Sequence, residues 1–364
     1  MFESTRRRVL QAVGIGSASM MAGCEGPAGQ SENSVTTSGT PSAAQTTVDS
    51  VAADPSDVPD PIDRSTPKHH DVTLEIREET AEIEPGVTFD YMTFDGQIPG
   101  PMIRVREGDT VTVTIDNPDG NGMPHNVDLH AVYGTGGGSV ATSAAPGESN
   151  AAEFRCEYPG AYIYHCAVPN LDYHISSGMF GMILVEPEDG LPEVDHEFYF
   201  GQHEVYTDGG AGAEGHHAFD HQAMKEESPT YVLLNGEKYA YAAANRGPLE
   251  ASVGDTARVF MVTGGPNVTS NFHPIGNVWT RAFRDGDLRN PHYNTQTVAV
   301  PPGSCMVGEM DLPVPERVKF VDHALSRVAR KGMLAELDVT GPKQTDIFDP
   351  EPDGPDEGPI YGSG

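Results

Sequence analysis

Short runs of alternating apolar and polar residues recur along the chain. In the first half they include Val72–Arg77, Met102–Arg106 and Thr110–Asp116. Side chains in a β-strand point alternately to two faces, so this period of two predicts strands with one buried face. Turn sequences such as Asp95-Gly96 separate the runs. This succession of short strands and turns is typical of a β-sandwich.

The same pattern of strands and turns recurs in the second half, for example at Glu197–Phe200 and Tyr231–Leu234. A weak internal repeat accompanies it, because the Gly-Asp-Thr within Val105–Val111 recurs within Ala251–Ala257. The pattern therefore predicts an all-β fold made of two similar sandwiches, with the seam near Pro187 to Pro192.

Composition divides the chain into five segments. They are a signal segment (1–23), a disordered tether (24–67), a first sandwich (68–188), a second sandwich (189–342) and an acidic, disordered tail (343–364). Arginines, a short apolar stretch and small residues before Cys24 predict a twin-arginine export signal with a lipoprotein processing site. The protein is therefore expected in a periplasm-like space or lipid-anchored on the outer face of the cytoplasmic membrane.

The net charge of the chain limits which kinds of partner it can bind. The chain has 54 acidic and 22 basic residues, a formal net charge of −32. Nucleic acid and anionic membrane surfaces would repel it, so the only membrane contact predicted is the N-terminal lipid anchor. Lysine supplies few of the cations. An acidic, lysine-poor surface suits a protein that works in strong brine, which predicts a halophilic source.

One set of residues has the composition of a metal site. His125, Cys166, His174 and Met179 offer two imidazoles, one thiolate and one thioether. These are the ligands of a blue-type copper centre. Zinc also accepts cysteine and histidine, but methionine is an unusual zinc ligand. His125 and Cys166 are predicted on strands, and the other two in the loop after the cysteine, which predicts a compact site at one end of a sandwich.

Strand parity predicts a second site behind the first. Positions that differ by an odd number point to opposite faces of an extended segment. His165 and Cys166 differ by one, and His125 and His130 by five. His165 and His130 therefore share the face opposite to Cys166 and His125, and Asp128 shares it with them. The sequence predicts a second metal there, one peptide link from the first.

A catalytic copper needs a third ligand and an open position. The second sandwich offers His273 and His323, each in an apolar, strand-like setting, with a hydrogen-bonded core histidine as the alternative for both. A further group is interpreted as part of a solvated, Gly-rich loop, with adventitious metal binding as the alternative: His203, His216, His217 and His221.

These motifs resemble those of the copper-containing nitrite reductases. The resemblance covers about residues 71–341 and depends on His125–His130, Pro159–Cys166, His174–Met179, Phe272–Gly276 and Val321–His323. The seven residues between Cys166 and His174 are similar to the family's shorter-loop subgroup. One departure is Pro274, where the family usually has an aliphatic residue. It fixes the local backbone and removes an N–H beside His273.

The resemblance implies cupredoxin-like Greek-key topology for both sandwiches, two coppers per chain and a homotrimer. The implied roles are type 1 copper at His125, Cys166, His174 and Met179, type 2 copper at His130, His165 and the neighbouring subunit's His323, and a catalytic pair of Asp128 and His273. The implied activity is the one-electron reduction of nitrite to nitric oxide in denitrification. A small cupredoxin-type or cytochrome-type donor would supply the electron.

Two alternatives stay open on the sequence. A two-domain multicopper oxidase would need several His-x-His pairs, and the sequence has none. A non-enzymatic cupredoxin electron carrier would use only the first copper. Copper content separates these functions, because the reductase requires two ions per chain and the carrier one.

Overall fold

The computed structural model describes residues 46–351. The predicted signal segment therefore lies outside the described residues. The strands are β1 (Thr46–Thr47), β2 (His69–Glu84), β3 (Val87–Phe94), β4 (Ile103–Arg106), β5 (Thr110–Asn117), β6 (Asp128–Leu129), β7 (Glu148–Arg155), β8 (Gly160–His165), β9 (Phe180–Glu186), β10 (His196–Val205), β11 (Gly215–His217), β12 (Tyr231–Leu234), β13 (Leu249–Ser252), β14 (Thr256–Gly265), β15 (Ser270–Ile275), β16 (Trp279–Arg284), β17 (His292–Thr295), β18 (Val298–Val300), β19 (Ser304–Asp311), β20 (Glu316–Asp322) and β21 (Leu334–Thr340). The helices are α1 (Leu171–Ser176), α2 (His221–Lys225) and α3 (Ser326–Lys331), with a 3₁₀ turn at Thr135–Gly138. None of the described helices is long and apolar enough to cross a bilayer.

The first sandwich packs two sheets face to face. One has the strand order β11-β3-β2-β5-β7, with β1 paired to β2, and the other has the order β4-β9-β8-β6. Along β5 the residues alternate strictly, and Val111, Val113 and Ile115 are buried. These side chains pack with Tyr164 and Ile183 of the facing sheet. Burial of each large apolar side chain contributes about 1.5–3 kcal/mol, so the alternation holds the two sheets together.

The second sandwich repeats this arrangement. Its sheets have the orders β12-β10-β14-β19-β16-β17 and β13-β21-β20-β15-β18. Phe272, Trp279 and Phe320 stack in its core, with ring centroids 5.8–6.4 Å apart. The prediction of an all-β fold with two sandwiches is confirmed.

A third buried cluster joins the sandwiches. Ile163 and Phe180 from the first pack there with Tyr199, Phe260 and Val307 from the second. Both bodies therefore share apolar surface, and side chains at the ends of β8 and β9 are held rigidly against the second sandwich.

Part of the predicted tether is ordered. Val51 is 1% exposed and Ala53 is 7% exposed. The Asn235 side-chain amide donates to the Ala53 carbonyl at 3.0 Å. The prediction of disorder is therefore wrong for residues 46–67, because a few small apolar side chains and backbone hydrogen bonds fix an extended segment to the body.

The start of the predicted tail is also placed. The amides of Ile347 and Phe348 donate to the Gln344 carbonyl and form a turn. The disorder prediction is therefore wrong for residues 343–351. The remainder of the tail lies outside the described residues.

The histidine-rich segment is not one solvated loop. His203 lies on β10 and is fully buried, and His217 on β11 is 4% exposed. Strand β11 pairs in parallel with β3, which adds a strand from the second half of the chain to the first sheet. The loop interpretation is therefore wrong. His216 and His221 are exposed to solvent as predicted, but they lie on β11 and α2 rather than in a loop. Backbone pairing with β3 explains the order of this segment.

Candidate metal centres

Three predicted ligands meet at one end of the first sandwich. The Cys166 Sγ atom lies 3.9 Å from His125 Nδ1 and 3.6 Å from His174 Nδ1, and the two Nδ1 atoms are 3.3 Å apart. All three residues are fully buried. This compact, dry group of one sulfur and two nitrogens can hold a soft metal ion.

Local structure differs from the prediction at two of these ligands. His125 is not on a strand but in an isolated β-bridge with Ala144, because Pro124 before it cannot donate a ladder hydrogen bond. His174 lies on α1 rather than in an open loop, and its amide donates to the Asn170 carbonyl. Both differences leave the imidazoles pointing at the cysteine.

Met179 closes the segment that carries His174. Its side chain is fully buried, its amide donates to the His174 carbonyl, and its carbonyl accepts from the Cys166 amide. These two backbone bonds, each 3.1 Å long, tie both ends of the segment together. The backbone of the fourth predicted ligand is therefore fixed against the backbones of Cys166 and His174.

Hydrogen bonds leave the ligand nitrogens free for a metal. The His125 Nε2–H donates to Glu78 Oε1 at 3.0 Å, so in the neutral ring Nδ1 carries the lone pair that faces the cluster. Burial, followed by the nearby His125, lowers the pKa of His174 to about 4. Burial also raises the pKa of the Cys166 thiol. The His174 imidazole is therefore neutral in the folded protein, and a bound cation would favour the Cys166 thiolate.

A second group lies directly behind the first. Asp128 and His165 face each other across the β6–β8 pair, and His130 follows two residues after Asp128. The His130 and His165 Nε2 atoms are 3.1 Å apart, and ligand atoms of all three residues lie within 4.8 Å. The structure groups the residues as strand parity predicts.

The two groups are joined by one peptide link. The His165 Nδ1–H donates to the Cys166 carbonyl at 3.0 Å, so its Nε2 carries the lone pair and faces His130. Burial, followed by the nearby His165, lowers the pKa of His130. Both imidazoles are therefore suited to hold a metal ion whose remaining positions stay open.

The predicted residues of the second sandwich lie elsewhere in the same chain. The rings of His273 and His323 are 5.4 Å apart at the end of the β15–β20 pair, and His273 Nδ1–H donates to the Gln296 carbonyl at 2.7 Å. Among the described residues, neither belongs to the groups around Cys166 and His165. A single chain therefore presents two separate halves of the predicted catalytic site.

Pro274 does not interrupt the pairing that supports His273. The His323 amide donates to the Asn271 carbonyl, so odd-numbered residues of β15 direct their backbone groups at β20. Pro274 directs its nitrogen to the other side, where pairing with β18 ends at Phe272. The proline therefore costs no ladder hydrogen bond.

The motifs in the sequence do not identify Glu78 as a residue of the site. It follows Leu74 and Ile76 at a spacing of two, so it occupies an inward position of β2. Burial raises the pKa of Glu78, but the hydrogen bonds from His125 and from the Gly122 and Met123 amides outweigh burial and lower it overall. A carboxylate in an otherwise apolar stripe is the signal that could have identified it.

A cleft of about 540 Å³ opens beside His165. It is lined by both sandwiches: Asn170, Leu171, Asp172 and Ile175 from the first, and Gly264, Pro266, Asn267, Pro302 and Gly303 from the second. The cleft gives solvent a route to the second group but not to the buried Cys166.

Two cupredoxin-like sandwiches that hold a Cys-His₂ group linked to a His₂-carboxylate group define a copper oxidoreductase. The copper-containing nitrite reductase of Neisseria meningitidis serogroup B is 42% identical over 308 residues, which cover 85% of this chain and 78% of that protein. That of Pseudomonas chlororaphis is 31% identical, with 78% and 82% covered. The chain belongs to the family of copper-containing nitrite reductases.

Solved structures agree with this membership. The copper nitrite reductase of Nitrosomonas europaea has a TM-score of 0.68 and 31% identity, and the match covers 76% of this chain and 95% of that one. A multicopper oxidase structure reaches a TM-score of 0.64 at 25% identity, with 75% and 89% covered. A family model described as multicopper oxidase matches residues 75–190. The protein is a copper enzyme that reduces nitrite, and its cofactors are type 1 and type 2 copper.

Proposed function

We propose that this nitrite reductase takes up an electron at the group around Cys166 and reduces nitrite at the group around His165. His125, Cys166, His174 and Met179 hold the type 1 copper. His130 and His165 hold the type 2 copper together with His323 of a neighbouring subunit. When bound, the coppers supply one-electron transfer and a Lewis acid for nitrite.

The peptide link between Cys166 and His165 carries this proposal. The thiolate and the imidazole belong to different groups and are separated by one bonded backbone unit, so the electron has a short covalent route. An electron carrier would need only the first group. The second group, with its carboxylate and paired imidazoles, supports an enzyme.

Asp128 and His273 deliver the protons that the reaction consumes. Nitrite reduction to nitric oxide consumes one electron and two protons and releases one water. Asp128 lies opposite His165 and hydrogen-bonds a nitrite oxygen, to which it passes a proton. His273, whose Nδ1–H donates to the Gln296 carbonyl, presents Nε2 and orients a water or supplies the second proton.

A homotrimer completes the catalytic site. His273 and His323 lie together but apart from His130 and His165 within one chain. A neighbouring copy that brings its His323 to this chain's His130 and His165 would unite the halves. Sedimentation of the copper-loaded protein tests this assembly, and a fully active monomer would contradict it.

The sequence supports an exported location for the protein and a medium of high salt concentration. Arg6, Arg7 and Arg8 before a short apolar stretch support twin-arginine export, and Cys24 supports lipid anchoring outside the cytoplasmic membrane. The net charge of −32 supports a halophilic source. In molar salt the screening length is about 3 Å, so a cupredoxin-type or cytochrome-type donor docks through short-range contact. The proposed docking residues near the type 1 site are Val168, Pro169, Leu171 and Tyr173.

One assay tests the function directly. Copper-loaded protein, incubated anaerobically with a reductant and nitrite, should release nitric oxide and contain two coppers per chain. One copper per chain without nitric oxide would support the electron carrier instead. Oxygen consumption without nitrite reduction would support a multicopper oxidase.

A further inference from the structure

A buried carboxylate lies behind one type 1 copper ligand. Glu78 Oε1 accepts from His125 Nε2–H at 3.0 Å and from the Met123 amide at 3.0 Å. Its Oε2 accepts from the Gly122 amide at 2.9 Å. The side chain is 9% exposed and the imidazole is fully buried. Both carboxylate oxygens are therefore fixed on the side of His125 that faces away from the cysteine.

The surrounding backbone holds this contact in one geometry. The His125 amide donates to the Ala144 carbonyl, which fixes the backbone of the ligand. Asn117 donates to the Met123 carbonyl, and Asn121 donates to the Ile76 carbonyl. The loop before His125 is thus bound to β2 and β5 at several points. The carboxylate and the ring cannot separate without breaking this set of bonds.

No lysine or arginine among the described residues pairs with Glu78. Within residues 46–351 its one ion-pair partner is His125. The adjacent Arg77 points to the opposite face of β2 and pairs with Glu75. The negative charge therefore acts on the imidazole through a hydrogen bond in a buried, weakly screened setting.

We propose that Glu78 lowers the reduction potential of the type 1 copper. A carboxylate that accepts the Nε2–H of a ligating histidine makes the imidazole a stronger electron donor. A stronger donor would stabilise Cu(II) more than Cu(I), so a copper held by His125 would have a lower reduction potential. This inference rests on the proposed assignment of His125, Cys166 and His174 as ligands.

Glu78→Gln provides the test, because the amide oxygen can still accept the hydrogen bond but carries no charge. The potential is measured by redox titration of the visible thiolate-to-copper absorption band against one-electron mediators. We expect the Cu(I)/Cu(II) ratio at a fixed potential to rise at least tenfold, which corresponds to a midpoint about 59 mV higher.

The neighbouring Glu79→Gln is the matched control. Glu79 is also buried, at 6% exposure, but it points to the other face of β2. Its variant should shift the midpoint by less than half as much. An unchanged or lower midpoint in Glu78→Gln, or an equal shift in both variants, would overturn the proposal.

Two further comparisons keep the test decisive. If Glu78→Gln does not fold, the isosteric pair Glu78→Asp and Glu78→Asn isolates the same charge, and Glu78→Asn should have the higher midpoint. Equal midpoints in that pair would reject the role of Glu78. Absence of the absorption band from copper-loaded wild-type protein would instead refute the ligand assignment.

Discussion

At the scale of single residues, one imidazole connects the two halves of the chemistry. His165 is the last residue of the buried strand β8, donates through Nδ1 to the Cys166 carbonyl and directs Nε2 at His130. The tautomer is set by the backbone, so the ring cannot turn its lone pair away from the second group. Asp128 approaches the same place from the paired strand β6. Single substitutions can therefore separate electron delivery from proton delivery.

Replacement of Asp128 by Asn should retain both coppers and lose most of the turnover. The amide keeps the shape of the side chain but cannot deliver a proton, and general acid catalysis is worth about 10²–10⁴-fold. Nitric oxide release and copper content are measured together. Asp116→Asn on the outward face of β5 is the control and should keep wild-type activity. An Asp128→Asn enzyme with normal turnover would contradict the assignment.

Replacement of His165 by Ala should empty only the second site. The thiolate-to-copper band should persist, because Cys166, His125 and His174 remain in place, while copper content falls from two to one per chain. His196→Ala, which removes a histidine paired with Asp255 outside both groups, should keep two coppers. Two coppers retained in His165→Ala would show that this imidazole is not a ligand.

At the scale of elements, β10 connects the metal-bearing segment to the second sandwich. The Ser176 hydroxyl donates to the Glu204 carbonyl, and His203 Nδ1–H donates to the Ser176 carbonyl at 2.9 Å. The same strand pairs with β12 and β14. The helix that carries His174 is therefore held by a strand of the other sandwich, and its position depends on β10.

His203 should make the protein sensitive to acid. Burial lowers its pKa to about 4 from an unfolded value of 6.5. The unfolded chain therefore takes up a proton first as the pH falls, so stability declines between about pH 6.5 and pH 4. The loss amounts to about 3 kcal/mol, at 1.36 kcal/mol per pH unit.

Urea unfolding of wild type and of His203→Leu across this pH range measures the effect. The variant loses the bond to Ser176 and is less stable at neutral pH, but its stability should fall less steeply with acid. The exposed His292→Gln on β17 is the control and should keep the wild-type slope. Equal slopes for wild type and His203→Leu would contradict the prediction.

At the scale of the whole molecule, buried ion pairs cross the seam between the sandwiches. Arg104 of β4 pairs with Glu186 and Glu197, each at 2.5 Å. Arg258 of β14 pairs with Glu197 at 2.6 Å and with Glu309 at 2.8 Å. Both guanidinium groups are at most 2% exposed. Salt screens such deeply buried charges only weakly, whereas it screens the exposed charges of the acidic surface strongly.

Replacement of Arg258 by Met should destabilise the protein by about 3 kcal/mol, because the buried Glu197 and Glu309 each lose one cationic partner. Among the described residues, Glu197 then keeps only Arg104, and Glu309 keeps only Arg281. Molar salt should not restore this loss. The measurement is the urea midpoint at low and high salt. Arg317→Met breaks a more exposed pair with Asp338 and should cost at most about 1 kcal/mol. A small or salt-reversible loss of stability in Arg258→Met would contradict the prediction that these buried ion pairs stabilise the protein.

Local patterns in the sequence predict strands in both halves, the two sandwiches and the composition of the metal groups. Alternation of apolar residues is a local property, and His165 and Cys166 must point apart because they are adjacent in an extended chain. The contact between Glu78 and His125 depends on the tertiary fold, since the two residues are 47 positions apart in the chain. The tertiary fold also decided the burial of His203 and the order of residues 46–67. Such contacts join distant segments, and no local pattern encodes which carboxylate meets which imidazole.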